Sequence, residues 1–578
     1  MSNKVDFELT TLETDVFVVG GGFAGCFASI KAAEAGAKVL MAVKGRTGRS
    51  GLTPWANSWF VFHDTQGITA EDYIKQFKLS GEYLNNLDFS KLLMDESWDR
   101  FQELQEWGTP TALNNPDKGR SHYIQHGTVS RSIEYVNAGD PMRRKAVSVG
   151  VEMLERVMIT DLIKEDGKVV GGIGFHMETG KPYAILAKAT ILCSGPSSFK
   201  PLGMGYPCSS TTADGDAMAI RVGAEISGKE FNDAHPAKEA NYLDESKLSS
   251  ASGDATSKKT VLDFGGGPPS QDGPLNPDEL DSGKLGLRTD SAIGVSLGGQ
   301  PIDEKYNLGP GGTPPLESGA GTDAPTRMGF STVGMGNHKG EGVFPHDING
   351  RSSVEGLWAA GDAMCSMQNG AGYAGFGSSS SGSSVQGARS GWAAAEYVKT
   401  QPAPSVSKER LEQMKQEMFA PINNKKGYSP AWITRIMQGA MFPYFIMYVK
   451  EQSRMENALQ QIKYLQTFVD KMKVDNFHDL RNAIETRNML LNAEMKLIAG
   501  LARKESRGTH YREDYPYRDD KNFLAWVKLS LNEEGDVKHE MHPIPEKWHP
   551  DPSLTYREKY GFAYPNEDEE RAKVGILD

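Results

Sequence analysis

The stretch from Val16 to Val43 limits what this chain can fold into more than any other. Val16-Phe17-Val18-Val19 is apolar without alternation, which predicts a strand buried on both faces. Gly20, Gly22 and Gly25 follow in the spacing GxGxxG. After them come roughly three turns of small and apolar residues closing at Gly36, then a second apolar run from Lys38 to Val43. In a strand, glycine turn, helix and strand, these glycines have separate tasks. Gly20 permits the tight turn, Gly22 lets backbone approach a pyrophosphate beside Ala24, and Gly25 lets the helix pack on the sheet with its N-terminus facing the anion. A dinucleotide site is expected. One usual part is missing: the acidic residue that holds the ribose should close the second strand, where the chain reads Ala42-Val43-Lys44. The ribose is left to other groups, backbone or Lys44, and the motif alone leaves FAD and NAD both open.

Composition narrows the class. At 578 residues, with 38% hydrophobic and 24% charged, the chain is large enough for three globular lobes. Cys26, Cys193, Cys208 and Cys365 lie far apart with no CxxC pair, so neither a zinc site nor an internal iron–sulfur cluster is expected. Scattered thiols and a polar, acidic N-terminus point to a cytoplasmic protein. A net charge of −12 argues against nucleic acid as a partner. No apolar run is long enough to span a bilayer. Ala431 to Val449 comes nearest, but Thr434, Arg435, Gln438 and Pro443 interrupt it. It is read as a buried helix broken at the proline, with membrane contact the weaker reading.

Along the chain, Lys44 to Thr53 is a loop of glycines, hydroxyls and cations that includes Arg49, Ser50 and Gly51. It suits a phosphate and the edge of a flavin ring; an ordinary exposed basic loop is the alternative. Thr69 to Trp107 is helical by apolar spacing, and another helix follows Asp140. Val157 to Ile163 and Val169 to His176 are expected to be strands of a second, small sheet. Ala189 to Cys193 is another buried strand, ending in a turn at Gly195, and Asp214-Gly215-Asp216 opens a helix.

These blocks carry a resemblance. GGGFAG, ILCSG, TADGDAMAIRVGAEI, GLWAAGD (Gly356 to Asp362) and ESRGTHYREDYPYRDD (Glu505 to Asp520) occur in the order of the fumarate reductase and succinate dehydrogenase flavoprotein family. That family also includes L-aspartate oxidase and the adenylylsulfate reductase alpha subunit. The resemblance implies an α/β fold: a Rossmann-like FAD-binding domain (residues 1–236 and 328–402), a capping domain (237–327), a C-terminal helical domain (403–530) and an irregular tail (531–578). Covalent members carry a flavin-bonded histidine after an Arg-Ser pair. The matching residue here is Gly51, so non-covalent FAD is expected, and Arg49-Ser50-Gly51 is more similar to adenylylsulfate reductase.

The family's substrate residues carry over unevenly. His235 in Glu230-Phe231-Asn232-Asp233-Ala234-His235-Pro236 resembles the EFxxxHP histidine that hydrogen-bonds substrate, and imidazole there can give or take a proton. His338 stands in the place of a second such histidine, with Glu341-Gly342-Val343 where the family has Met-Gly-Gly. The cap's RGEGG arginine is absent; Arg288 and Arg327 are the only arginines between Arg221 and Arg351. By composition, residues 237 to 327 are equally a solvated insertion or a lid built of loops. Gly361 and Asp362 match the second flavin-contacting strand and its ribityl-binding acid.

In fumarate reductase an arginine clamps a substrate carboxylate where this chain has Tyr373 (GYAGFG), which is also similar to the YPGxG of 3-ketosteroid dehydrogenases. A phenol cannot neutralise a carboxylate, but it can polarise a ketone. The glycine and serine run that includes Ser378 and Ser379 would offer backbone amides to the flavin pyrimidine edge, with a helix N-terminus at Val385.

The implied activity is hydride exchange between flavin N5 and a carbon–carbon bond conjugated to a carbonyl, in a small unsaturated substrate other than fumarate or succinate. Electrons would pass through a separate partner such as an iron–sulfur protein. The alternatives are a flavoprotein of the adenylylsulfate reductase type and a non-catalytic electron-transfer flavoprotein.

Overall fold

The computed structural model describes residues 7–55, 59–62, 69–109, 111–113, 124–125, 128–133, 139–200, 211–233, 335–336, 340–372, 377–447, 449–560, 564 and 566–576. The strand β1 (Thr10–Val19), helix α1 (Phe23–Glu34) and strand β2 (Val39–Val43) form as the glycine spacing requires. β1 lies in a seven-stranded sheet, parallel to β2 on one side and to a long strand on the other. In chain order the remaining strands are β3 (Glu152–Glu155), β4 (Val157–Glu165), β5 (Lys168–His176), β6 (Pro182–Leu192) and β7 (Leu357–Ala359).

β6 explains a difference from expectation. One of its edges pairs throughout with β1, while the other is shared. Its first half, Pro182–Leu186, pairs with β5, and its last residues, Thr190–Leu192, pair in parallel with β7. The β4–β5 hairpin is therefore an antiparallel extension of the main sheet, not a second small sheet.

Both faces of β1 are covered, which is why its apolar run does not alternate with polar residues. Val16 and Val18 pack with Ala24 and Ala28 of α1 and with Ala394 and Ala395 of α5 (Ser378–Val398). Phe17 and Val19 face the opposite core, with Met218 and Ile220, Met495 and Ala499, and Val527. Those residues belong to α4 (Asp214–Arg221), α8 (Phe477–Ala502) and β8 (Ala525–Leu531). Further helices include, in chain order, α2 (Leu87–Glu106), α3 (Gly139–Ser148), α6 (Pro430–Met441) and α7 (Gln452–Gln466). The helical lobe is a methionine-rich core including Met414, Met437, Met441, Met455 and Met489. The helix α6 ends before Pro443, as the proline demands, and a short turn follows at Tyr444–Met447.

The final residues differ from the expected irregular tail. Val537–Pro543 (β9) pairs antiparallel with β8 over seven residue pairs, joined by a turn whose Gly535 has φ +87°. The tail then returns to the body. Tyr556 and Glu567 are buried against Arg518, and Tyr560 against Arg507.

Candidate functional site

At the end of β1, Gly20 has φ +111°, and a Cβ there would lie 2.2 Å from the Cys193 carbonyl oxygen. A Cβ on Gly25 would lie 1.9 Å from the Gly20 carbonyl oxygen, so both positions exclude every side chain. Gly22 precedes α1 with no side-chain cap; the Phe23 amide donates to Thr53 Oγ1 at 3.1 Å. The loop after β2 lies against this turn, the Gly48 amide donating to the Gly21 carbonyl at 2.8 Å.

The helix α5, which begins at Ser378 and not at the expected Val385 because the serine run is itself its first turns, lies directly on α1. Gly387 meets the backbone of Ala24 and Gly391 that of Ala28, so steps of four residues match steps of four and the two helices run parallel. Ala24 is in the first turn of α1, whereas Gly387 is nine residues into α5. The start of α5 therefore projects about 12 Å beyond the start of α1 along their common direction. Neither N-terminus has a side-chain cap on its N-cap residue, Gly22 or Gly377. The hydroxyls of Ser378 and Ser379 are buried with no protein partner among the described residues. Two staggered, donor-rich helix ends suit an elongated ligand with an anion at one point and an electron-accepting ring further along. FAD has that form, and the groups present fit it.

The expected cofactor residues behave differently from one another. Gly361 (φ +71°) follows β7, its amide donating to Gln386 Oε1 at 3.2 Å, and a Cβ on it would reach Ala24 Cβ at 2.8 Å. Asp362 lies in the same short turn. Gly195 and Gly51 have φ +79° and +69°, and a Cβ on Gly51 would meet nothing within 4 Å. Two side chains of the basic loop have protein partners. Arg49 Nε donates to Asp140 Oδ1 at 2.9 Å, and Ser50 Oγ donates to the Arg46 carbonyl at 2.9 Å.

Lys44 is committed too. Its ammonium donates to Thr212 Oγ1 (3.0 Å), Asp214 Oδ2 (2.7 Å) and Glu485 Oε1 (2.8 Å), which uses all its protons. It is therefore not the free ribose donor the strand end suggests. Instead it fixes the carboxylate of Asp214 beside the strand end that lacks one. Burial pushes the Asp214 carboxyl up, but the Lys44 charge and the hydrogen bonds from Lys44, Asn488 and Thr212 hold it below its ordinary value.

His235, Arg288, His338 and Tyr373, the expected substrate residues, lie outside the described residues. The structure does describe a buried polar set that sequence reasoning missed. Lys229 Nζ lies 2.6 Å from Asp216 Oδ2, 3.2 Å from Glu341 Oε1 and 2.8 Å from Asn492 Oδ1. Lys496 joins Glu341 and, at 3.2 Å, Asn232 Oδ1. The only signal for it in the chain is Glu341, an acid where the family has an apolar residue.

The FAD binding domain family matches residues 15–265, and the fumarate reductase flavoprotein C-terminal family matches residues 434–553. One chain of the CoM/CoB fumarate reductase of Methanothermobacter marburgensis is 26% identical, covering 87% of this chain and 95% of that protein. The fumarate reductase flavoprotein subunit of Mycobacterium tuberculosis is 25% identical over 93% of this chain and 99% of its own length. Both matches and both relatives are similar to this chain in the manner of fumarate reductase and succinate dehydrogenase flavoproteins. The chain is a flavin-dependent oxidoreductase, and its cofactor is FAD. The fold is that of E. coli quinol fumarate reductase FrdA, with a TM-score of 0.73 at 20% identity, covering 96% of this chain and 100% of that one. Among the described residues of this flavoprotein, no helix is long and apolar enough to cross a membrane and no acid, histidine and cysteine cluster is placed to hold a metal ion.

Proposed function

We propose that this flavoprotein exchanges hydrogen with a carbon–carbon bond conjugated to a ketone-type carbonyl, and that fumarate and succinate are poor substrates. Tyr373 carries this reading. It stands where the family's carboxylate-clamping arginine would be, four residues before Gly377, the N-cap of α5. Only that short stretch of sequence separates Tyr373 from the helix end that suits the ring of FAD. When bound, FAD supplies hydride exchange at N5. Tyr373 would donate a hydrogen bond to the substrate carbonyl, polarising the adjacent bond, while His235 and His338 orient the substrate and move its proton. Arg288 would act from the cap. The cofactor is held non-covalently, since Gly51 replaces the bonding histidine. Electrons pass through a separate protein, such as an iron–sulfur carrier. The relatives named as subunits support such a partner.

The test is anaerobic reduction of the purified holoprotein followed by separate additions of fumarate, a panel of conjugated enones and enoates, and sulfite. Return of the oxidised-flavin absorbance on addition of an enone, absent in Tyr373→Phe, is the expected result. Rapid reoxidation by fumarate would overturn the reading. Silence to every alkene, with sulfite bleaching the oxidised flavin, would favour the sulfur-handling alternative.

A further inference from the structure

The segment around α6 keeps an exposed face that the fold does not use. Tyr428, Trp432, Ile436 and Tyr464 are 42%, 43%, 37% and 63% exposed, values unusual for rings and isoleucine gathered in one place. The three rings form one cluster on Phe468. Tyr428 stacks on Trp432 with centroids 5.5 Å apart, and Trp432, Tyr428 and Tyr464 each meet the Phe468 ring edge-on at 5.8, 4.6 and 5.0 Å. The platform is fixed. The Tyr428 amide donates to the Lys471 carbonyl at 2.9 Å, the Lys473 amide donates to the Tyr428 carbonyl at 3.0 Å, and Asn424 Nδ2 donates to the Met472 carbonyl at 2.8 Å.

Cations flank the rings along the chain. Lys425, Lys426, Arg435 and Lys471 are exposed and form no ion pair with any described residue; Lys471 lies over the Phe468 ring at 5.8 Å. Lys473 is paired with Asp475, and Asp470 is the other acid of these loops, so cations outnumber anions here. The whole chain carries −12, so this face runs against the charge of the molecule.

We propose that this face docks on an anionic phospholipid surface. A second copy of the chain is disfavoured because a two-fold contact would oppose the lysines to themselves. A protein partner is disfavoured by residue type. Protein interfaces are depleted in lysine and favour arginine, whereas exposed tyrosine and tryptophan beside lysines suit the headgroup layer, where lysine stems lie on apolar surface and ammoniums meet phosphates. The docking is peripheral, rings at headgroup depth, and needs no spanning helix.

The test is co-sedimentation of the FAD-loaded protein with phosphatidylcholine vesicles, with and without phosphatidylglycerol. Binding is expected only to the anionic vesicles and to fall with added salt. Lys425→Gln with Lys426→Gln should weaken it roughly 25-fold, about fivefold for each charge. Trp432→Ser should abolish the vesicle-induced blue shift of tryptophan emission, with flavin content unchanged in both variants. Absence of binding to anionic vesicles at low salt, or binding indifferent to all three substitutions, overturns the proposal. Trp432-dependent dimerisation in light scattering, or retention of polyglutamate without vesicle binding, would overturn it in favour of a second copy or an acidic protein.

Discussion

Lys44 Nζ lies 2.7 Å from Asp214 Oδ2, although the two residues are 170 positions apart in the chain. A cation thus stands where a dinucleotide fold usually ends its second strand with an acid, and the acid arrives from another helix. Glu485, fully buried on α8, closes the group from the helical lobe at 2.8 Å and also pairs with Lys200. Glu485→Gln takes from Lys200 its carboxylate partner, leaving it Asn482 Oδ1 at 2.9 Å, and leaves Lys44 with Asp214, and should cost about 3–5 kcal/mol, as loss of one partner from a buried ion pair does. Urea denaturation of holoprotein measures this, and the rate of FAD release should rise in the same variant. Unchanged release would dissociate Glu485 from the cofactor site.

Gly25→Ala would place a methyl 1.9 Å from the Gly20 carbonyl oxygen, with backbone on both sides of the contact. The expected product is a chain purified without yellow colour, read as the ratio of visible to ultraviolet absorbance.

Gly51 has open space beside it and no nucleophile to offer. Acid precipitation of the native protein should therefore leave all the flavin in the supernatant. Flavin retained in the washed pellet would contradict non-covalent binding.

Glu341 balances Lys229 and Lys496 inside the protein, where all three are buried. Glu341→Gln should destabilise by about 3–5 kcal/mol. Lys229→Met in the same background should recover part of the loss, because the surplus charge goes with it. A thermal-unfolding cycle of the two single variants and the double variant tests the coupling.

Lys450 is buried, which drives its ammonium down to about 7, aided by Lys496 and opposed by Glu230. The unfolded lysine titrates near ~10.4, so between these values the unfolded chain holds the extra proton and stability rises with pH. Below pH ~7 both states are charged and the full cost of the buried cation remains. Lys450→Met should therefore gain most over the native protein at pH ~6 and least at pH ~10. Denaturant midpoints across that range check the sign; an advantage that grows with pH would refute it.

What could be read beforehand depended on distance along the chain. The β1–α1–β2 unit was legible because Gly20, Gly22 and Gly25 act on neighbours, and the break after α6 because Pro443 acts on its own turn. The β4–β5 hairpin was legible as two strands but not by its sheet. That depends on β6 being long enough to offer half an edge to β5 and half to β7, a pairing that no local pattern encodes. The tail misled for a similar reason. Its polar text reads as irregular, yet Glu567 and Tyr560 are what Arg518 and Arg507 require once those guanidiniums are buried. At the site, the turns at Gly20 and Gly25 were foreseeable, whereas the start of α5 at Ser378 was not. Nor was the fate of Lys44, because Glu485, 441 residues away, decides it.

The offset between α1 and α5 makes the protein a gauge of length. Because Gly387 and Gly391 fix where one helix rests on the other, the distance between the two helix ends is set by packing before any cofactor arrives. FMN, which lacks the adenosine half, could occupy one end only and would forfeit the other. Sliding α5 by a single turn would change the gap by about 5.4 Å. The spacing of the two helix ends thus resides in two glycines whose task is packing.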